Sequence, residues 1–319
     1  MDETQKFLQI KNLTKYFRIS RHRVLKAVDG VSFQIQKGEV LGLVGESGCG
    51  KTTVGRLILH LLEPTSGEVV FNGVELYKLP NKAMRRMRKQ MQIVFQDPYS
   101  SLNPRMTIGN ILAFPMKIQH LYEGERQERV SYLLERVGLS SSEMNRFPHE
   151  YSGGQLQRIG IARALAVDPE FIVADEPVSA LDVSIQSQVL NLFKALQEEF
   201  HLTMLFIAHD LSVVEFISDR IAVLYLGNMV ELAPSNILHR SHLHPYTQSL
   251  FSAIMVPDPA IEKNKPPFSL EGEPTSPINP PPGCRFHFRC PKRKDICKEN
   301  QPQLVEVEKN HFVACFVLD

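Results

Sequence analysis

No sign of charge prevails along the 319 residues: 36 Lys and Arg stand against 35 Asp and Glu, a formal net charge of +1. Binding nucleic acid by bulk charge needs a basic excess, so that class of function is disfavoured. Long apolar runs are missing as well. None approaches the roughly 18 residues that span a bilayer. The charged start, Met1 to Lys6, is not followed by the apolar stretch of a secretory signal. Cysteine is scarce, with five in all, and four of them fall between 284 and 315. The disulfide framework of a secreted protein is seldom so lopsided. Internal repeats are absent too. What is there is ordinary globular material, 43% hydrophobic and 22% charged, long enough for about two domains with sizeable cores. The expectation is a soluble cytosolic chain, with docking on a membrane partner left open.

The segment from Phe7 to Glu75 reads as strands and turns with one helix inserted. Val31-Ser32-Phe33-Gln34-Ile35 alternates, as a half-buried strand does. Lys37-Gly38-Glu39 marks a turn. Val40 to Val44 is a short apolar run of the buried-strand type. A helix is predicted from about Lys51 to Leu62, closed off by Pro64 and Gly67. From Lys82 to Ala166 the pattern is mainly helical, interrupted at Gln96–Tyr99 and Tyr151–Gly154. The basic stretch Lys82, Arg85, Arg86, Arg88 and Lys89 reads as a solvated helix face. Phe171–Ala174 and Met204–Ala208 are again buried-strand runs, ending at Asp175 and His209. Ligands of parallel sheets bind beyond such strand ends. Between Pro257 and Pro282 lie nine of the 21 prolines, which predicts an extended connector. The expected domains are 1–256, with a helical part at about 97–166, the connector at 257–283, and a cysteine-bearing module at 284–319.

Gly45-Glu46-Ser47-Gly48-Cys49-Gly50-Lys51-Thr52 fits the phosphate-loop pattern G-x-x-x-x-G-K-[ST] without mismatch. The glycines let backbone N–H groups turn inward around phosphate oxygens, and the next helix aims its positive end at the same anion. Lys51 would reach the β- and γ-phosphates, and Thr52 would hold Mg²⁺. Asp175, after its apolar strand, suits the acid on the Mg²⁺ side. Glu176 is placed as the base on the attacking water. Cys49, inside the loop and near a helix start, is expected to have a lowered pKa and to be reactive.

Tyr151-Ser152-Gly153-Gly154-Gln155, with Gln157-Arg158 after it, resembles the signature of ABC-type ATPases, with Tyr151 where Leu is usual. Gln96 looks like that family's Q-loop glutamine, Ser179-Ala180-Leu181-Asp182 like its D-loop and His209 like its switch histidine. Phe17 stands where the adenine-stacking aromatic lies, with Tyr16 as the fallback. The resemblance covers roughly residues 7 to 250. It implies an α/β fold with a RecA-like core sheet, an N-terminal antiparallel β subdomain and a helical subdomain. ATP and Mg²⁺ are its cofactors. The catalytic set is Glu176, His209, Gln96 and Lys51, and Mg²⁺ falls to Thr52, Gln96 and Asp175. The nucleotide falls to Phe17, Gly45, Glu46, Ser47, Gly48, Cys49, Gly50, Lys51, Thr52 and Thr53. Ser152, Gly153, Gly154, Gln155 and Asp182 serve the nucleotide shared with a second ATPase domain.

Gln96-Asp97-Pro98 through Ser101-Leu102-Asn103-Pro104, then Leu243-His244-Pro245-Tyr246-Thr247, then Pro277 to Cys284 are similar to the oligopeptide/dipeptide importer branch. Ala174 to Asp182 is similar to its second, F-type ATPase subunit. The implied partners are a paralogous ATPase, two membrane permeases and an extracytoplasmic peptide-binding protein. The implied place is the cytoplasmic face of a bacterial inner membrane. Nickel or glutathione as cargo stays open. The rival class is a soluble ABC ATPase working on ribosomes or DNA. Such proteins usually carry two cassettes or a long coiled-coil insertion, whereas this chain has one phosphate loop and no sustained heptads.

Cys284, Cys290, Cys297 and Cys315 match neither common zinc spacing nor the bacterial ferredoxin run. Their clustering in a cytosolic chain still points to a metal, and Arg285, Arg289, Lys292, Arg293 and Lys294 would offset the charge of a cluster. Similar terminal modules imply a [4Fe–4S] cluster. Zinc, with His287 and His311 as reserve ligands, and metal-free thiols remain alternatives. The module is expected to be structural.

Overall fold

The computed structural model describes residues 7–253 and 276–318, so most of the expected connector, 257–275, lies outside the described residues. The chain divides into two compact units. The first gathers Met1–Ile35, Val40–Glu75 and Ala208–Asp319; the second gathers Gln36–Glu39 and Leu76–Ile207.

The first unit opens with a long hairpin. Strands β1 (Leu8–Ser20) and β2 (Arg23–Ile35) pair antiparallel from Leu8↔Ile35 to Ser20↔Arg23. In β2 the alternation holds: Val31, Phe33 and Ile35 are buried and Ser32 and Gln34 exposed. The other edge of β1 takes β4 (Ser66–Phe71), which turns into β5 (Val74–Glu75). A second layer runs on β3 (Val40–Val44), every residue of which is buried. It lies parallel to β9 (Arg220–Tyr225) in the register Leu41↔Arg220 to Val44↔Val223. Antiparallel β10 (Asn228–Pro234) follows β9, and the C-terminal strands β12 (His311–Val313) and β11 (Val305–Glu308) continue the same sheet. The terminal residues thus join this unit's sheet. The described end of the connector is pinned to β2: Lys26 N–H donates to the Pro277 carbonyl (3.2 Å) and Asn279 N–H to that of Val24 (2.9 Å). Helices α1 (Lys51–Ile58), α8 (Leu211–Ile217), α9 (Ser235–Arg240) and α10 (Pro245–Ser252) complete the unit. Helix α1 stops short of Leu62, because His60 turns to a left-handed φ of 50°.

The second unit holds three parallel strands, β6 (Met91–Val94), β7 (Phe171–Asp175) and β8 (Thr203–Ala208). Met91 pairs with Phe171, and Asp175 with Ile207. Both β7 and β8 are buried throughout, as the apolar runs predict. Strand β6 was not predicted. It interrupts the stretch read as helical, being too short to show a period of its own. Around these strands lie α2 (Asn81–Met87), α3 (Pro98–Ser101), α4 (Ile108–Ile118), α5 (Arg126–Arg136), α6 (Gly153–Leu165) and α7 (Val183–Phe200). Lys82, Arg85, Arg86 and Arg88 are exposed, as expected of a solvated face. Among the described residues no helix is long and apolar enough to cross a membrane.

Candidate functional site

In the first unit the phosphate loop leaves β3 at Gly45. A Cβ there would lie 2.2 Å from the Leu224 carbonyl oxygen, so only glycine fits. Gly50 opens α1 at a left-handed φ of 110° with no side-chain cap, and the helix's first turn carries no acid. That is the arrangement in which a helix start favours an anion. Lys51 is buried, and its Nζ donates to the carbonyls of Gly45 (2.8 Å) and Glu46 (3.1 Å). The loop is braced from outside itself. Glu46 N–H donates to the Tyr246 hydroxyl (2.8 Å), and Gly227 N–H donates to the Cys49 carbonyl (2.8 Å). His209, just past β8, is exposed, and the next residue, Asp210, caps α8 through the N–H of Ser212 (2.9 Å). Phe17 is half-exposed on β1 with Lys15 Nζ 5.1 Å from its ring centre. Tyr16 spends its hydroxyl on Asp29.

The reactivity expected of Cys49 is corrected by its surroundings. The residue is 2% exposed, and burial pushes its thiol up to about 11, against the pull of the Lys51 charge. Desolvation of the thiolate outweighs the positive end of the helix.

The second unit assembles the expected acids. Asp175 ends β7 and is buried. Glu176 follows at a left-handed φ of 48°, with its N–H donated to the Ile207 carbonyl (2.9 Å). Gln96 brings its amide Nε2 to 3.1 Å from Glu176 Oε2 and 3.4 Å from Ser179 Oγ. Strained backbone of this kind clusters at working sites. Ser152 caps α6 in a closed box: its Oγ accepts from the Gln155 N–H (3.4 Å), and Gln155 Oε1 accepts from the Ser152 N–H (3.0 Å). Tyr151 is buried under the Arg146 guanidinium and donates to the Glu143 carbonyl (3.2 Å). An aromatic therefore packs well at this first signature position. Asp182 is exposed and precedes α7 without a side-chain cap.

The C-terminal cysteines come close to one another. Burial raises the Cys284 thiol to about 12, and Cys297, Cys315 and Cys290 each add to the rise. Cys284 N–H also donates to the Cys297 carbonyl (2.8 Å). Yet among the described residues no group of three or more His, Cys, Asp or Glu is arranged to hold a metal ion. The reserve zinc ligands are otherwise engaged. His287 Nδ1 lies 2.6 Å from the Cys284 carbonyl, and His311 Nε2 lies 2.7 Å from Glu231 Oε1 in a fully buried pair. Arg285 and Arg289 are not left to offset a cluster: they pair with Asp29 and Glu46. Sequence reasoning quoted Tyr246 only within a family motif and missed its contact with the phosphate loop, as it missed Glu231 and these two pairings. The one available signal was the spacing Cys284-Arg285-Phe286-His287-Phe288-Arg289-Cys290, with two arginines four apart between two cysteines.

The family model described as ABC transporter matches residues 28–179, and that described as Oligopeptide/dipeptide transporter, C-terminal region, matches 230–297. The chain is 54% identical over 310 residues to the putative oligopeptide transport ATP-binding protein YkfD of Bacillus subtilis, covering 97% of this chain and 94% of that one. It is 53% identical over 316 residues to the oligopeptide transport ATP-binding protein AppF of the same organism, covering 97% and 96%. Among solved structures it resembles the dimeric post-hydrolysis state of the ATP-binding cassette MJ0796 bound to ADP and Pi. There the TM-score is 0.65 and the identity 31%, over 72% of this chain and 98% of that one.

Proposed function

The chain belongs to the ABC transporter family, in the group with the oligopeptide/dipeptide C-terminal region, and on that premise we propose that it is the ATP-hydrolysing subunit of a bacterial peptide importer. The observation that carries the reading is the end-to-end match to oligopeptide transport ATP-binding proteins, joined to an intact phosphate loop. The reaction is ATP and water to ADP and phosphate. Lys51 binds the β- and γ-phosphates, Thr52, Gln96 and Asp175 hold Mg²⁺, Glu176 is the base and His209 the switch residue. The approach of Gln96 to Glu176 supports this assignment. The capped N-terminus of α6 supports Ser152 to Gln155 as a second anion site, which we assign to the nucleotide of a paralogous partner. Two permeases and an extracytoplasmic binding protein complete the proposed assembly, with this chain peripheral on the cytoplasmic face of the inner membrane.

Beyond ATP and Mg²⁺, the [4Fe–4S] cluster is the finer cofactor proposal, supported by the resemblance and by the mutual approach of the four thiols. The side chains as arranged do not form a ligand set, so no step of transport is assigned to a cluster. Anaerobic purification followed by iron, acid-labile sulfide and zinc analysis decides it; a protein with neither metal ends both metal readings.

The importer reading is tested by purifying the tagged chain from membranes and identifying what accompanies it. Permeases and a peptide-binding protein are expected, and uptake of labelled peptide is expected to fail when the chain is deleted. Fractionation with ribosomes in place of membranes would overturn it.

A further inference from the structure

The second residue of the phosphate loop is an acid. A carboxylate beside a bound polyphosphate repels it, unless another charge answers it. In the first unit that charge comes from the far end of the chain. Arg289 Nη1 donates to both Oε1 and Oε2 of Glu46, at 3.0 Å each. The arginine side chain is 8% exposed and the glutamate 33%, so the guanidinium is shielded from water while the carboxylate keeps part of its surface open. Burial works against the charged guanidinium, but hydrogen bonds with Tyr225 and Glu46 raise its pKa above the ordinary value. The backbone of Glu46 is held separately, by Tyr246.

What places Arg289 is the cysteine-flanked segment. Four residues earlier, Arg285 donates to the Leu226 carbonyl and to Asp29 on β2. Between the two arginines the buried ring of Phe286 packs edge-on against Tyr225, with centroids 5.2 Å apart, and lies 5.5 Å from Tyr246. One short segment therefore grips β2, the β9–β10 turn and the phosphate loop.

Resting on the ATPase reading above, we propose that Arg289 is a positioning residue of the nucleotide site, which neutralises Glu46 and fixes the start of the phosphate loop. The C-terminal module then belongs to the support of that site, in addition to its structural role.

The test measures Mg-ATP and adenosine binding by the full-length chain, for wild type, Arg289→Gln, Glu46→Gln and the double variant. Thermal unfolding is recorded alongside. Arg289→Gln is expected to weaken ATP binding by about 10–100-fold, the range for outer-shell partners. Adenosine, which has no phosphate, is expected to bind unchanged. Adding Glu46→Gln to Arg289→Gln is expected to recover most of the loss, because the unanswered carboxylate is gone. A general loosening of the fold would weaken both ligands and would not be relieved. Equal ATP binding by wild type and Arg289→Gln, or a loss that Glu46→Gln does not relieve, overturns the proposal and leaves the ATPase reading standing. A wild-type chain that binds no ATP overturns both. Where Arg289→Gln alone does not fold, the double variant, which leaves no lone buried charge, carries the comparison. Near-normal ATP affinity then supports the proposal, and loss overturns it.

Discussion

Glu176 is held at a left-handed backbone angle directly after a buried strand, with the Gln96 amide against its carboxylate. Glu176→Gln keeps the shape and removes the carboxylate proposed as the base. ATP turnover is expected to fall about 10²–10⁴-fold while ATP binding survives, measured by phosphate release and equilibrium binding. An ATP-bound dimer should then accumulate, and near-normal turnover would move the base elsewhere. Cys49 calls for the opposite experiment. With its thiol pushed up to about 11, maleimide labelling at pH 7.5 is expected to be at least about 10²-fold slower in the folded chain than in urea. The same shift has a sign for stability. The folded value lies above the ordinary 9.0, so the contribution is complete below pH 9 and is lost as pH rises towards 11. The phosphate loop, Asp175 and Glu176 were readable because each is a local pattern at a strand end. The burial of Cys49 was not, since the atoms that exclude water from it come from elsewhere in the chain.

Helix α10 shows how an element can carry a pH dependence. Its cap is His244, whose Nδ1 accepts from the Tyr246 N–H (3.0 Å) and must be unprotonated to do so. Burial drives the imidazole down to about 4, with Glu231 pulling the other way. A depressed histidine stabilises the fold above its unfolded value of 6.5, and that contribution is lost as pH falls towards 4. The loss is on the order of 3 kcal/mol over that window. Urea unfolding between pH 7 and 5 is expected to show the decline, and His244→Asn, a cap that does not titrate, to flatten it. A wild-type profile no steeper than that of the variant would exclude His244 as the cause. The extended runs behind β3, β7 and β8 were legible as elements because continuous apolar sequence has one ready home, a strand buried on both faces. Strand β6 has four residues and half-buried sites at Gln92 and Ile93, too little pattern to separate it from the basic helix before it.

For the whole molecule, the proposed sharing of each nucleotide between two ATPases sets the solution behaviour. Alone, the chain is expected to hydrolyse ATP far more slowly than with its paralogous partner, and mixing the two should restore turnover. Equal rates with and without the partner would dismiss the heterodimer. Least legible of all was the docking of the C-terminal residues. Contacts such as Arg289 to Glu46 or Asn279 to Val24 join the two ends of the chain, and no local periodicity records such a pairing. The strand β12 carries a further consequence, for synthesis in the cell. It covers β10 through Glu231↔Val313 and Leu232↔Phe312, and its His311 is one of the partners of the buried Glu231, beside the N–H groups of Leu243 and His244. A ribosome makes β10 well before β12. Until β12 emerges, β10 has an uncovered, largely apolar edge, the kind of surface on which unfinished chains pair with one another. Forms of this chain that lack β12 are therefore expected to depend on chaperones, and to aggregate where none are at hand.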